Sequence, residues 1–501
     1  MKKIILLFTC VFFALNAMAV VFSDNGINYY ILSANSVAVS QSVTPYSNTI
    51  IIPSKVTNLS TEYTVTSIHD SAFFNCKDLK SVTFPTSITS IGSRAFWGCS
   101  GLTSTPDLSH VDSIGYYSFF ACTSLTSVSI SNSNSIIGEC SFYQCSGLVS
   151  AFINAKSIGN GSFAECAGLN SVTIGNNVTS VGADAFYCCY SLREFIVDDK
   201  NMNFTTIDGV LYSKDKTIVI VYPNEKGSTY IIPDGVDSIA SFSFESCPNL
   251  KSILIPQSVK GIGESAFFGC TGLISVNIPI SLSYIGMYAF YDCTGLESIT
   301  LPPSLTVVES CAFQGCSSLT YVNMPSSLTQ INPYAFSFCS KLKTIDIPSS
   351  VTYLGLQAFS NCSGLTSIYV HNVLPPVAKS HAFLGIPKSS CILNIPAGSR
   401  TAYQEAAEWK DFTTIVETVT GVPELSNESI NLVPNPVTDG FYINYPEGIG
   451  SVTINDMNGR QLYTKSIKAN EYIPLTTFSP GIYIVRIITL NGTFEKKIVK
   501  K

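Results

Sequence analysis

Charge is scarce in this sequence. Only 12% of its 501 residues are Asp, Glu, Lys or Arg, about half of the roughly 25% usual for a soluble domain. The net charge is −6, and no long run of either sign accumulates. A nucleic-acid groove needs a basic stripe to neutralise phosphates, and a polybasic membrane patch needs clustered Lys and Arg; the chain offers neither. Histidine is scarcer still. His69, His110, His371 and His381 are the only four, and nothing links them to a repeated acid or nucleophile. The spacings of a nucleophile elbow, a phosphate loop, a dinucleotide turn and a zinc-protease helix are missing, as is any Cys-x-x-Cys pair or Cys/His cluster fit for zinc. Two carboxylates for glycoside cleavage could meet from anywhere in the chain, but the strand-like segments carry few acids, chiefly Glu194 and Asp346. These absences point away from an enzyme and require no cofactor and no metal.

Long apolar runs are also lacking. Ile4 to Leu15 spans 12 residues, against the about 20 needed to cross a bilayer as a helix. Lys2 and Lys3 precede this run and Ala17-Met18-Ala19 follows it. That order is the one of a secretory signal peptide, with cleavage expected between Ala19 and Val20. The mature chain is expected to be exported and to hold no transmembrane segment.

What the chain has in abundance is repetition. Cys76, Cys99, Cys122, Cys145, Cys166, Cys189, Cys247, Cys270, Cys293, Cys316, Cys339 and Cys362 recur every 23 residues, except for steps of 21 (Cys145 to Cys166) and 58 (Cys189 to Cys247). A Phe stands three residues before each and a Leu three residues after, from Phe73 and Leu79 to Phe359 and Leu365. One 23-residue unit cannot enclose its own apolar face, whereas stacked units bury one another and form a continuous core. Equivalent positions then become columns, one residue per coil. After each Leu the residues alternate, as in inward Val82 between outward Ser81 and Thr83, which predicts a short strand. Pro85, Pro256, Pro279, Pro302, Pro325 and Pro348 end such strands, because Pro cannot donate to a ladder. The Ile-Gly-x-x-Ala-Phe stretch predicts a short helical turn or an irregular arc that returns the chain. Two copies fit poorly: Thr105-Pro106-Asp107 replaces one strand core and Ala151 takes an inward site in another, so a weak or bulged sheet edge is expected at both.

These units resemble the BspA-like leucine-rich repeats, also called the Treponema pallidum type, of bacterial surface proteins. The resemblance covers roughly residues 20 to 416. It implies a mostly β, right-handed solenoid with one short parallel strand per coil. The stretch NFTTIDGVLYSKDKTIVIVYP, 203 to 223, resembles the hairpin island of such arrays, and LNIPAGSRTAYQEAAEWKDF, 393 to 412, their closing cap. The expected organisation is a signal peptide at 1–19, an N-terminal cap at 20–64, and twelve repeats within 65–416. An island lies at about 198–235 and a closing cap at 372–416. A linker at 417–428 leads to a small β module at 429–501. A cap is needed because the last coil would otherwise show bare Phe and Leu to water.

That module alternates in strand fashion at Phe441 to Tyr445, Val452 to Ile454 and Gly481 to Arg486, which suggests a small sandwich. With Pro434-Asn435-Pro436, Asp456 to Arg460, Pro480-Gly481-Ile482-Tyr483 and Lys496 to Lys501, it resembles the type A C-terminal sorting domain of the type IX secretion system of Bacteroidota. The resemblance implies handling by that machinery, and then release or attachment to a surface glycolipid.

Sixteen cysteines in an exported chain after signal removal invite a disulfide reading. The columns argue for buried free thiols instead. A small apolar residue is wanted between a buried Phe and a buried Leu, and free Cys serves as one; parallel Cβ vectors on successive coils do not aim at each other. Cys188 beside Cys189, and Cys140 and Cys311 five residues before column cysteines, stand outside that reasoning.

Outward strand positions form mostly a hydroxyl carpet, as at Ser127, Ser129, Ser171, Thr173, Ser298 and Thr300. Such a face either contacts a ligand or simply keeps the strand soluble. Toward the end of the array it changes to Tyr321 and Asn323, Asp346, then Tyr369, whose aromatic, amide and carboxylate groups are better contact chemistry. A second candidate patch is the residue after four successive column phenylalanines, Phe74, Trp97, Phe120 and Tyr143, which serves either as a binding surface or as extra core wedged between coils. The sequence thus predicts an exported, adhesin-like binding protein whose partners are host or bacterial surface proteins or glycans. The alternatives are a self-associating structural surface component and, as a minor one, a carbohydrate-active enzyme.

Overall fold

The computed structural model describes residues 21–418 and, of the C-terminal segment, 431–433, 437, 439–444, 449–456, 460–466, 472–489 and 492–500. The expected signal peptide with its Ala19/Val20 junction, most of the linker, Pro434-Asn435-Pro436 and Met457-Asn458-Gly459 lie outside the described residues. The chain forms two compact units, one ending at Lys214 and one beginning at Asp215.

In the first unit, strands Val21–Asp24, Ile27–Ile31 and Ser36–Ser40 form an antiparallel meander whose last strand runs parallel to Thr61–Ile68. The predicted long strand of each coil then forms a parallel ladder: Ser127–Ile130, Ser150–Ile153, Ser171–Ile174 and Glu194–Val197 pair in exact 21- or 23-residue steps. Between Leu79–Thr83 and Ser127–Ile130 the ladder is interrupted. The coil holding Thr105-Pro106-Asp107 has no strand there, as expected where Pro removes a donor. Ala151 behaves otherwise. It is buried, and its strand pairs regularly on both sides; a smaller inward side chain leaves the main-chain ladder intact, so the expected bulge does not form.

Beyond the predicted strand, each coil carries a second, two-residue one. Ser90–Ile91, Ser113–Ile114, Ile136–Ile137, Ser157–Ile158 and Ser180–Val181 form a parallel ladder of their own. The arc around each column Phe adds a third set of inter-coil bonds: Phe73 N donates to Ala95 O at 2.7 Å, Phe96 N to Ser118 O at 2.6 Å and Phe119 N to Ser141 O at 2.7 Å. Buried backbone must be paired, and this arc does so without regular structure. The Gly after the short strand allows the approach. A Cβ on Gly115 would lie 2.6 Å from the Gly92 carbonyl carbon of the preceding coil.

The column phenylalanines stack nearly parallel. Phe73, Phe96, Phe119, Phe142 and Phe163 follow one another with centroids 4.8 to 5.1 Å apart and planes within 5°. Such pairs contribute about 0.5–1.5 kcal/mol each beyond burial. Tyr46 closes the stack at one end, 4.9 Å from Phe73. Near the end of this unit, Phe204–Ile207 and Val210–Ser213 form an antiparallel hairpin.

The second unit repeats the plan. Its stack runs from Tyr222 and Phe244 through Phe267, Phe290, Phe313, Phe336 and Phe359. It continues to Phe383, 6.0 Å beyond Phe359, a further rung whose coil has Ile386 at the cysteine position. Trp409 and Phe412 then cover Phe383, and the Trp409 indole N–H donates to Pro376 O at 2.9 Å. The short helix Arg400–Glu405 buries Tyr403 beside Trp409. The C-terminal segment forms a three-stranded sheet (Asn431–Val433, Gly440–Asn444, Tyr472–Pro474) and a four-stranded one (Gln461–Lys465, Ile449–Asp456, Gly481–Thr489, Gly492–Lys500). Phe441, Ile443, Val452, Ile454, Val485 and Ile498 share one core between them.

All sixteen described cysteines are free thiols. Those of the column do more than fill space. Ten donate to the carbonyl of the preceding coil's Phe, as Cys99 Sγ does to Phe73 O at 3.0 Å and Cys122 Sγ to Phe96 O at 3.2 Å. Cys76 and Cys247, each at the start of a run, reach only nearby carbonyls, at 4.0 and 3.7 Å. Burial pushes the Cys145 thiol up to about 12 and raises those of Cys99, Cys122, Cys166 and Cys189, which disfavours the reactive thiolate at these positions.

Candidate functional site

The outer strand face of the second unit is built by register. Thr344–Ile347 pairs with Ser367–Val370, which places Asp346 beside Tyr369, and Tyr369 in turn pairs with Asn394. Asn323 lies one 23-residue step before Asp346, on the strand Tyr321–Asn323 that packs beside Thr344–Ile347. Asn323, Asp346 and Tyr369 therefore share one row across three coils. Tyr321, two residues upstream of Asn323, belongs to the neighbouring row with Thr344 and Ser367. Tyr369 is 41% exposed, while Asn394 is buried and its side-chain amide donates to Ile368 O at 3.4 Å.

His371 joins this row. Its Nε2 donates to Asp346 Oδ1 at 2.6 Å, with both side chains about half exposed. The hydrogen bond that it donates to the Asp346 carboxylate raises the imidazole above its ordinary value, against the lowering effect of partial burial. The pair is spaced by 25 residues, one coil plus two, and the two-residue alternation of a strand would have revealed it had the register been known.

The hydroxyl carpet is less uniform than the sequence suggests. Phe152 and Ile196 are 39% and 48% exposed on the outer face of the first unit, in register with Ser129 and Thr173. Thr300 is buried in the second unit, so it offers no hydroxyl to a partner.

The second candidate patch is both packed and half exposed. Phe74, Trp97, Phe120 and Tyr143 stack at 6.1, 3.9 and 5.5 Å, and Phe74 remains 38% exposed. The Arg94 guanidinium lies 5.7 Å from the Trp97 ring. At the far end Tyr143 hydrogen-bonds Glu165, which also accepts from Gln144 Nε2 at 2.8 Å. Ring faces are used between coils, so this column presents edges. Of the cysteines outside the main column, Cys188 has its Sγ 3.0 Å from Tyr190 Oη, and Cys140 and Cys311 share a left-handed backbone, φ 53° and 57°.

The sequence profile of the family described as BspA type leucine rich repeat region matches in six copies, over residues 46–156, 149–231, 220–310 and 262–388. The chain belongs to the BspA type leucine-rich repeat family. Residues 431–501 match the secretion system C-terminal sorting domain. This BspA-type chain is thus an exported cell-surface protein carrying a type IX sorting domain, and among the described residues no helix is long and apolar enough to cross a membrane. Its fold is similar to that of a leucine rich cell surface protein of Faecalibacterium prausnitzii, at 28% identity and TM-score 0.52 over 65% of this chain and 94% of that one. It is also similar to the pneumococcal vaccine antigen PcpA, at 22% identity and TM-score 0.57 over 80% and 99%. Among curated proteins none matches significantly.

Proposed function

We propose that this BspA-type protein is an adhesin-like binding protein, and that it contacts a host or bacterial surface protein or glycan through the strand face around Asn323, Asp346 and Tyr369. The observation that carries this reading is the row itself. Three coils in register change from hydroxyls to an amide, a carboxylate and an exposed aromatic ring, the side-chain types that anchor interfaces. The exposure of the Tyr369 ring supports a binding role over a catalytic one, since catalysis is favoured where water is excluded. The matched surface protein of Faecalibacterium prausnitzii supports display outside the cell.

The test is binding of the purified exported protein to a glycan array and to an immobilised extracellular-matrix preparation. Tyr369→Ala with unchanged folding should weaken capture tenfold or more, about 1.4 kcal/mol. Capture that survives both Tyr369→Ala and Asp346→Asn removes this face from the reading. Concentration-dependent growth of particle size without any ligand favours the self-associating alternative.

A further inference from the structure

On the turn side of the second unit, the residue two places after each column Phe is held with a left-handed backbone: φ is 53° at Asp292, 63° at Phe338 and 59° at Asn361. Gly315 stands at this position between Asp292 and Phe338, with φ +78°. It brings no side chain, and a Cβ there would lie 2.0 Å from Asp292 Oδ1. The carboxylate of one coil therefore leans into space that the next coil leaves empty. The result is a concavity of about 380 Å³, within the range of small-molecule sites, about 300–1,000 Å³.

Its lining is specific. Tyr291 stacks on Phe268 at 4.8 Å with planes 2° apart, and the aromatic column ends there, because the next coil has Gln314. The second face of Tyr291 is thereby turned toward the coil of Gln314. Phe338, 52% exposed, forms the opposite wall. Asp292, Gln314, Ser317 and Ser340 supply the polar groups. Among the described residues no hydrogen-bond donor serves the Asp292 carboxylate, and partial burial raises its carboxyl above the ordinary value. A carboxylate that is partly desolvated and unpaired is poised to accept from a ligand.

We propose that this concavity binds one ring of a neutral saccharide. Aromatic faces carry negative charge density that attracts the polarised C–H bonds of a sugar ring. An acceptor-only carboxylate, a carboxamide that donates and accepts, and hydroxyls that do both match adjacent sugar hydroxyls. No Lys or Arg lines the concavity, which argues against phosphate, sulfate and acidic sugars. The site uses no residue of the strand face and stands independently of the reading given for it.

Saturation-transfer NMR on the full exported protein tests this, with glucose, galactose, mannose, N-acetylglucosamine and cellobiose as probes and choline as a cationic control. At least one saccharide should receive transfer, strongest on the C–H protons of one ring face. Gly315→Asn fills the concavity while keeping a backbone that Asn75 and Asn361 already adopt at the same position, φ 58° and 59°. It should weaken saccharide binding at least tenfold, the Asp292 carboxylate turning aside to admit the new Cβ, with a cooperative melt kept within a few degrees of the parent; Phe338→Ala should weaken binding likewise, whereas Tyr369→Ala should leave it unchanged. No transfer to any saccharide, transfer that survives Gly315→Asn, or binding of choline alone would overturn the proposal.

Discussion

Each of the two units has an inner column of its own, built alike, and they differ on the turn side. Inside, Phe119 and Phe290 are both buried and stacked at 4.9 to 5.3 Å on each neighbour. Outside, the first unit continues its second aromatic column through four rings, Phe74 to Tyr143, while the second stops after Phe268 and Tyr291. A complete column spends its ring faces on neighbours and leaves edges. An interrupted one leaves a face and a gap. Coil spacing is fixed by three sets of main-chain bonds, so a missing side chain cannot be closed over by collapse. In such a scaffold, a break in the repeat leaves an open ring face and a gap in place of a packed column.

The comparison can be broken first at its shared part. Phe119→Ala and Phe290→Ala should each cost about 3–5 kcal/mol, as for other buried aromatic truncations, measured by urea unfolding. A large difference between them would mean that the inner columns are not equivalent. The thiol column offers a finer probe. Cys122→Ala should cost about 0.5–1 kcal/mol more than Cys76→Ala, because only the former loses a close S–H bond to a Phe carbonyl, while that carbonyl keeps the Cys99 N–H as its other donor. Equal costs would reduce the cysteine to a space filler. On the turn side, Trp97→Ala should cost about 1 kcal/mol more than Tyr291→Ala in thermal melts, since Trp97 loses column partners on both sides and Tyr291 on one.

The smallest expected effect concerns His371. Its folded pKa is raised above 6.5 by Asp346, so the charged pair is complete below pH 6.5 and is lost as pH rises through the raised value. Both groups are too exposed for a measurable stability change; the imidazole titration itself is the readout. Asp346→Asn should lower the midpoint seen by NMR, and an unmoved midpoint would separate His371 from the strand-face row.

The inner plan was legible because it repeats. Phe, Cys and Leu at constant spacing announce stacked coils, and Thr105-Pro106-Asp107 announces the missing strand, since Pro acts through local covalent geometry. Other features were not legible. The two-residue ladder at Ser90–Ile91 and its successors is too short to show a period. Phe383 continues the stack after a 24-residue step with Ile386 in place of Cys. The burial of Thr300, the exposure of Phe152 and the S–H bonds depend on what the adjacent coil presents. Tyr321, Asn323, Asp346 and Tyr369 could be read as one outward face, but not as two rows, nor as joined by His371.

The amino-acid sequence alone determined that this chain coils, how often, which side chains face inward, and that it carries a sorting domain, because each follows from a period or a motif within one segment. The tertiary structure decided which outward side chains meet, which ring faces stay open and where Gly315 leaves a hollow beside Asp292. Those are relations between residues one coil apart, and they exist only once inter-coil hydrogen bonds have fixed the register.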